Sequence, residues 1–149
     1  MSSLYVYHHS RQEYFRQPFG AQSCAKRVTL RLMVKSDDPP QACYVRLWEK
    51  EQETLIPMRV ISNGNSKEVS ETTLSLIFEA QIDLPQEPGL VWYYFKIMIE
   101  GETYYYHNNW QELGGEGALS SIEGPSFQIT VYKPTHVPKW FKAGIMYQI

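Results

Sequence analysis

The sequence predicts an all-β domain, an antiparallel β-sandwich of immunoglobulin type. Three observations carry that prediction. Apolar residues alternate with polar ones at a spacing of two along run after run, the signature of half-buried strands. The runs are about six residues long and are separated by Pro, Gly, Asp and Asn turn signals over a little more than a hundred residues. No stretch of useful length repeats its apolar residues at the helical period. A small closed barrel is the alternative that the same pattern leaves open.

The elements follow in order. Val28, Leu30, Leu32 and Val34 share one parity, with Thr29, Arg31 and Lys35 on the other, and Asp37-Asp38-Pro39-Pro40 ends the strand. In Cys43 to Glu49 the spacing points Val45 and Leu47 inward. A short strand around Pro57 to Ile61 precedes a polar loop from Ser62 to Ser70, in which Asn63-Gly64 is a turn signal. Leu74, Leu76, Phe78, Ala80, Ile82 and Leu84 form a long alternating strand closed by Pro85 and Pro88-Gly89. Leu90 to Glu100 places Tyr93, Phe95, Ile97 and Ile99 on one face, and Gly101-Glu102 turns the chain into Thr103 to Tyr106. After a glycine-rich loop, Phe127, Ile129 and Val131 give the last strand, so residues 1–132 read as one sandwich domain. Beyond the connector from Pro134 to Pro138, the apolar run that begins at Gly144 reads as the first strand of something larger. Residues 133–149 are therefore expected to be a linker and the start of a further domain.

Composition narrows the function classes. At 149 residues with a formal charge of −2, the chain has no electrostatic footprint for nucleic acid or an anionic membrane. No apolar run is long enough to span a bilayer. No basic segment followed by an apolar one opens the chain, so a cytoplasmic location is expected, or a secreted one if a leader has been removed. Cys24 and Cys43 are expected to be free thiols, since their spacing does not resemble the framework of antibody domains. The 11 tyrosines and 4 tryptophans supply core, but also stacking surfaces for ligands and partners.

Catalytic constellations are thin. Gly114-Gly115-Glu116-Gly117 follows no strand of a βαβ unit, so it reads as a loop with unusual backbone angles and not as a phosphate cradle. His8, His9, His107 and His136 lack companions at zinc spacing and are expected to be surface or capping residues. Asp37-Asp38 reads as a turn in preference to a calcium site. Glu49, Glu51 and Glu53 sit on a polar hairpin where solvation is the default. No nucleophile, base and orienter set is visible, and no metal or cofactor is expected.

Strand parity identifies a more promising surface. If Val45 and Leu47 face the core, Tyr44, Arg46 and Trp48 face out; if Tyr93, Phe95 and Ile97 face in, Trp92, Tyr94 and Lys96 face out. The strands carrying these sets are neighbours in an immunoglobulin-like sandwich, which predicts an aromatic patch on one outer face. Three roles compete for it: packing on a following domain, stacking of a glycan, and cover by the domain's own N-terminal segment. Tyr104, Tyr106 and Trp110 beside Asn108 and Asn109 form a second candidate, because aromatic faces with amides suit sugar rings; edge-strand packing is the bland account of the same residues.

The segment Trp140-Phe141-Lys142-Ala143-Gly144-Ile145-Met146-Tyr147-Gln148-Ile149 resembles the entry to the catalytic barrel of the α-amylase family, glycoside hydrolase family 13. Trp92 to Ile97, Tyr104-Tyr105-Tyr106, Leu113 to Gly117 and Pro125 to Tyr132 are similar to the N-terminal immunoglobulin-like domain of its pullulanase, neopullulanase and amylopullulanase-like members. The resemblance is strongest from about Leu90 onward. It implies an early-set sandwich followed by the truncated first strand of a (β/α)8 barrel. It also implies a parent enzyme that hydrolyses α-glucosidic bonds with retention, using carboxylates on later barrel strands. No catalytic residue carries over to this chain. In relatives of this type the domain packs on the barrel, closes a homodimer or binds α-glucan, and these are the partners the resemblance implies.

Overall fold

The structure is a computed structural model that describes residues 4–64 and 74–133. Among them the chain forms strands and no helix: β1 (Leu4–Tyr7), β2 (Arg16–Gln17), β3 (Gln22–Ser23), β4 (Arg27–Ser36), β5 (Ala42–Glu49), β6 (Gln52–Pro57), β7 (Arg59–Gly64), β8 (Leu74–Asp83), β9 (Gly89–Ile99), β10 (Glu102–His107), β11 (Ala118–Ser120) and β12 (Phe127–Tyr132).

Two sheets face each other, so the sandwich and not the closed barrel is formed. The first runs β1-β4-β8-β7, with β2 beside β1 on the same edge of β4. The second is organised on β9. One edge of that strand pairs with β5, and β6 lies beyond. Its other edge is divided: β10 takes residues 95–99 and β12 takes 89–93. Strand order and antiparallel pairing match the four-strand and three-strand sheets of an immunoglobulin sandwich, with β6 added and the β10–β11 hairpin inserted before the last strand.

The alternation read from the sequence sets the core. Val28, Leu30, Leu32 and Val34 of β4 and Phe78, Ala80 and Ile82 of β8 meet Cys43, Val45 and Leu47 of β5, Tyr93, Phe95 and Ile97 of β9, and Phe127, Ile129 and Val131 of β12. Two-residue hairpin loops join β5 to β6 and β9 to β10. Lys50 and Glu51 in the first, and Glu100 and Gly101 in the second, have positive φ, the backbone of a type I′ turn whose twist suits the strands.

Several expectations are corrected. β1, β2, β3 and β11 are short and were not anticipated. Asn63-Gly64 is no turn: both residues pair with β8, after a bulge between Val60 and Ser62. The run expected as one strand around residues 57–61 is divided, with the chain leaving one sheet at Pro57 and entering the other at Arg59. Residues 65–73 and 134–149, including His136 and the terminal apolar run, lie outside the described residues.

His8 and His107 are wholly buried, contrary to a surface role. His8 sits between the sheets with its ring 4.7 Å from that of Phe95 and 5.2 Å from that of Phe127. Its Nδ1 is 2.8 Å from the Arg31 carbonyl oxygen, which only accepts, so Nδ1 carries the proton. Nε2 then accepts from the Tyr93 hydroxyl at 2.9 Å. Tyr106 extends the polar chain by donating to the His8 carbonyl and accepting from Gly117 N–H, both at 2.9 Å. The His8, Tyr93 and Tyr106 side chains are buried, and each has a partner, as the cost of an unpaired polar group requires.

Burial pushes the His8 imidazole down to about 3, against its bond to the Arg31 carbonyl, which acts the other way. Below pH 6.5 the unfolded chain takes up a proton that the folded chain refuses. This contribution to stability is therefore complete above pH 6.5 and is lost as pH falls toward 3, at on the order of 1 kcal/mol per pH unit. Urea midpoints between pH 7 and pH 5 should fall more steeply for the native chain than for His8→Gln. Gly117 supplies a second test. A Cβ there would lie 2.2 Å from the His107 carbonyl oxygen and 2.8 Å from the Phe127 ring, whereas one at Gly89 would meet nothing within 4 Å. Gly117→Ala should cost about 1–3 kcal/mol or more in denaturant unfolding, and Gly89→Ala should cost far less.

Candidate functional site

β5 and β9 are antiparallel neighbours, and their register sets Trp48 opposite Trp92, Arg46 opposite Tyr94 and Tyr44 opposite Lys96. The patch predicted from parity is therefore assembled on the outer face of the second sheet. Trp48 is 36% exposed, and Tyr44 and Trp92 are half-buried. The Arg46 guanidinium lies 4.2 Å from the Tyr94 ring centroid and 5.6 Å from that of Trp48, so the cation bridges the aromatic row. Arg46, Trp48, Trp92 and Ser126 line an open cleft of about 270 Å³.

Tyr94 does not belong to the exposed surface. Its ring meets that of Tyr105 edge-on, and its hydroxyl donates to Glu123 at 2.8 Å, leaving the residue 1% exposed. The cover on this part of the face comes from the segment that carries Glu123, and not from the N-terminal segment.

The second predicted cluster is dispersed. Tyr104 pairs with Ile97 and Tyr106 with Phe95, so both share the inward face of β10. Tyr104 packs half-buried against the core and donates to Glu102 at 3.1 Å, while Tyr106 is buried. Asn108 is buried and occupied: its Oδ1 accepts from Asn109 N–H and Gly114 N–H at 2.9 and 3.0 Å, and its Nδ2 donates to the Ser126 carbonyl. Asn109 likewise holds the carbonyls of Gly114 and Glu116. These amides shape the glycine loop, in which Gly114 and Gly115 take φ values of +74° and +81°. Only Trp110, 56% exposed and edge-on to the His107 ring at 4.7 Å, presents a free aromatic face.

A neighbouring cleft of about 320 Å³ was not foreseen. Trp92 and Ser126 line it too, so it adjoins the first, and Arg11, Arg16, Phe19, Glu112 and Gln128 are among its other lining residues. Phe19 is 52% exposed, whereas Arg16 is 6% exposed. Arg16 Nη2 donates to the Gly20 carbonyl at 3.2 Å, and Nε has no hydrogen-bond partner among the described residues. Arg46 Nε also lacks a hydrogen-bond partner among the described residues but forms an ion pair with Glu53 at 3.6 Å. No periodicity marks Phe15-Arg16 or Phe19 in the sequence, because they belong to a loop and a two-residue strand.

The groove is equipped to stack rings and to exchange hydrogen bonds. No group of three His, Cys, Asp or Glu side chains suited to a metal ion occurs among the described residues. Cys24 and Cys43 are free thiols, and burial pushes the Cys43 thiol up to about 12.

No family model matches the chain. It is 33% identical over 145 residues to an amylopullulanase of Thermoanaerobacter thermohydrosulfuricus, 32% to one of Thermoanaerobacterium thermosulfurigenes and 31% to one of Thermoanaerobacterium saccharolyticum. Each match covers 95% of this chain but only 9%, 7% and 11% of the respective relative. Among solved structures, a cyclomaltodextrinase superposes with a TM-score of 0.59 at 16% identity, over 91% of this chain and 21% of that one, which shows the shared fold. Identity of about a third across nearly the whole chain makes it similar to a short part of these amylopullulanases, and its sandwich shares the fold of part of a cyclomaltodextrinase.

Proposed function

We propose that the chain is a non-catalytic accessory domain of an enzyme that hydrolyses α-glucans. Residues 1–132 are the sandwich in this reading, and residues 133–149 lead into a catalytic barrel of the same chain. The observation that carries it is the match of nearly all of this chain to about a tenth of each amylopullulanase, which leaves the rest of such a protein to supply the chemistry. The barrel's own carboxylates then cleave the bond, and the sandwich packs against it through the Tyr44, Trp48 and Trp92 face or offers that face to a second copy.

A second reading, in which the face holds α-glucan, is favoured by its lining. Trp48 and Trp92 are cross-strand neighbours on an open, shallow cleft, and Arg46 and Ser126 add hydrogen-bonding groups beside them. Aromatic faces with polar groups at the margin suit the stacking of a sugar ring.

Purified chain incubated with pullulan or maltooligosaccharides should release no reducing ends; release that scales with protein concentration would overturn the non-catalytic assignment. Trp48→Ala should remain folded, with an unfolding midpoint close to that of the native chain, because the side chain already meets solvent. Titration with maltotriose, followed by tryptophan fluorescence, separates the uses of the face. A saturable change by millimolar ligand, an affinity of about 4 kcal/mol, supports glucan binding, and a flat response returns the face to interdomain packing.

A further inference from the structure

We infer that His107 is a pH-operated latch on the turn from Ser120 to Gly124, the turn that lays Glu123 over Tyr94. The charged imidazolium completes the hydrogen bonds that hold the turn, and the neutral ring leaves one of them unmade.

The donors and acceptors carry the argument. His107 is wholly buried, with Nδ1 2.7 Å from the Asn108 carbonyl oxygen and Nε2 3.0 Å from the Ser120 hydroxyl oxygen. That hydroxyl also faces the Ile122 carbonyl oxygen, and it receives the Ile122 N–H at 3.3 Å. Carbonyl oxygens only accept, and a serine hydroxyl has one proton to give. With both ring nitrogens protonated, Nδ1 donates to Asn108, Nε2 to Ser120, and Ser120 to Ile122, so every group is used. A neutral ring with its proton on Nδ1 draws the serine proton to Nε2 and takes it from Ile122. A neutral ring with its proton on Nε2 sets a bare Nδ1 against the Asn108 oxygen. Each neutral tautomer therefore brings two acceptors together with no proton between them, an arrangement that buried groups seldom keep.

His8 makes the contrast. It is equally buried, but its neutral ring donates to the Arg31 carbonyl and accepts from the Tyr93 hydroxyl, whose proton no carbonyl claims among the described residues. Two buried histidines in one sandwich thus have hydrogen-bond sets that fit opposite states of charge.

Packing ties the ring to the turn. A Cβ at Gly124 would stand 2.4 Å from His107 Cε1 and 2.5 Å from both ring nitrogens, so the backbone of the turn lies directly on the imidazole. The groups set against the ring are uncharged: Asn108 and Trp110 from its own stretch of chain, Ser120 from β11 and Gly124 from the turn. Of the nearby carboxylates, Glu112 and Glu116 are exposed and Glu123 is bonded to the Tyr94 hydroxyl at 2.8 Å. Loss of the bond from Ser120 to Ile122 loosens the residue next to Glu123. Rising pH therefore releases the cover over Tyr94, and falling pH seats it.

Nitrogen-15 NMR of the imidazoles in the whole chain, from about pH 5 to pH 8, the range in which histidine changes charge, reads the proton on each ring nitrogen. His107→Gln assigns the signals, and His8, neutral throughout, is the internal control. Both His107 nitrogens should be protonated at the acid end, and the Ile122 and Glu123 amide signals should shift with the same midpoint as the ring ionises. Ser120→Ala should keep the ring titration and uncouple those amides. Gly124→Ala, which pushes the turn off the ring, should give at the acid end the amide signals that the native chain shows at the alkaline end. A His107 ring neutral across the range, or amides that ignore its ionisation, overturns the latch, and both are read in the native chain whether or not a variant folds. Amides that shift equally in Ser120→Ala overturn it too, because the ring's charge alone would then account for the change.

Discussion

The central constraint of this fold is the divided edge of β9. One strand of 11 residues must pair with β5 over residues 92–98 on one side and with two separate strands, β10 and β12, on the other. Because side chains alternate, that single arrangement fixes two surfaces at once. Tyr93, Phe95 and Ile97 are committed to the space between the sheets, and Trp92, Tyr94 and Lys96 to the outer face. The buried tyrosine then needs a partner for its hydroxyl, and His8, carried in from beyond β1, meets that need. The groove and the core are thus two sides of one strand.

The long strands were legible because each is half-buried, and burial on one face imposes a period of two on the sequence. Val28 to Val34, Phe78 to Ile82 and Tyr93 to Ile97 all lie where that period puts them. Even the meeting of Trp48 with Trp92 followed from parity joined to the expected order of strands. Those parts were local pattern plus one topological rule.

What escaped the sequence depends on contacts between distant segments. Tyr94 has the parity of an exposed residue and is buried because Glu123, 29 residues on, comes down over it. Tyr104 and Tyr106 stand on the inward face of β10, in keeping with the packing account that the sequence left open beside the sugar-stacking one. Arg16 and Phe19 gave no signal, since a two-residue strand is too short to show a period. The unforeseen half of the groove is the half built by such pieces.

The division of the run from Gln52 to Gly64 between the sheets bears on how the molecule avoids its own kind. β6 and β7 are the outermost described strands on that side, one in each sheet, and one stretch of chain supplies both. An open strand edge is a template for recruiting another chain, and natural sheets blunt it with charge, proline and irregular pairing. Glu53, Pro57, Arg59 and the bulge after Val60 all fall within this stretch. Protection against edge-to-edge aggregation is thereby concentrated in about a dozen consecutive residues, which makes them poor ground for grafted loops.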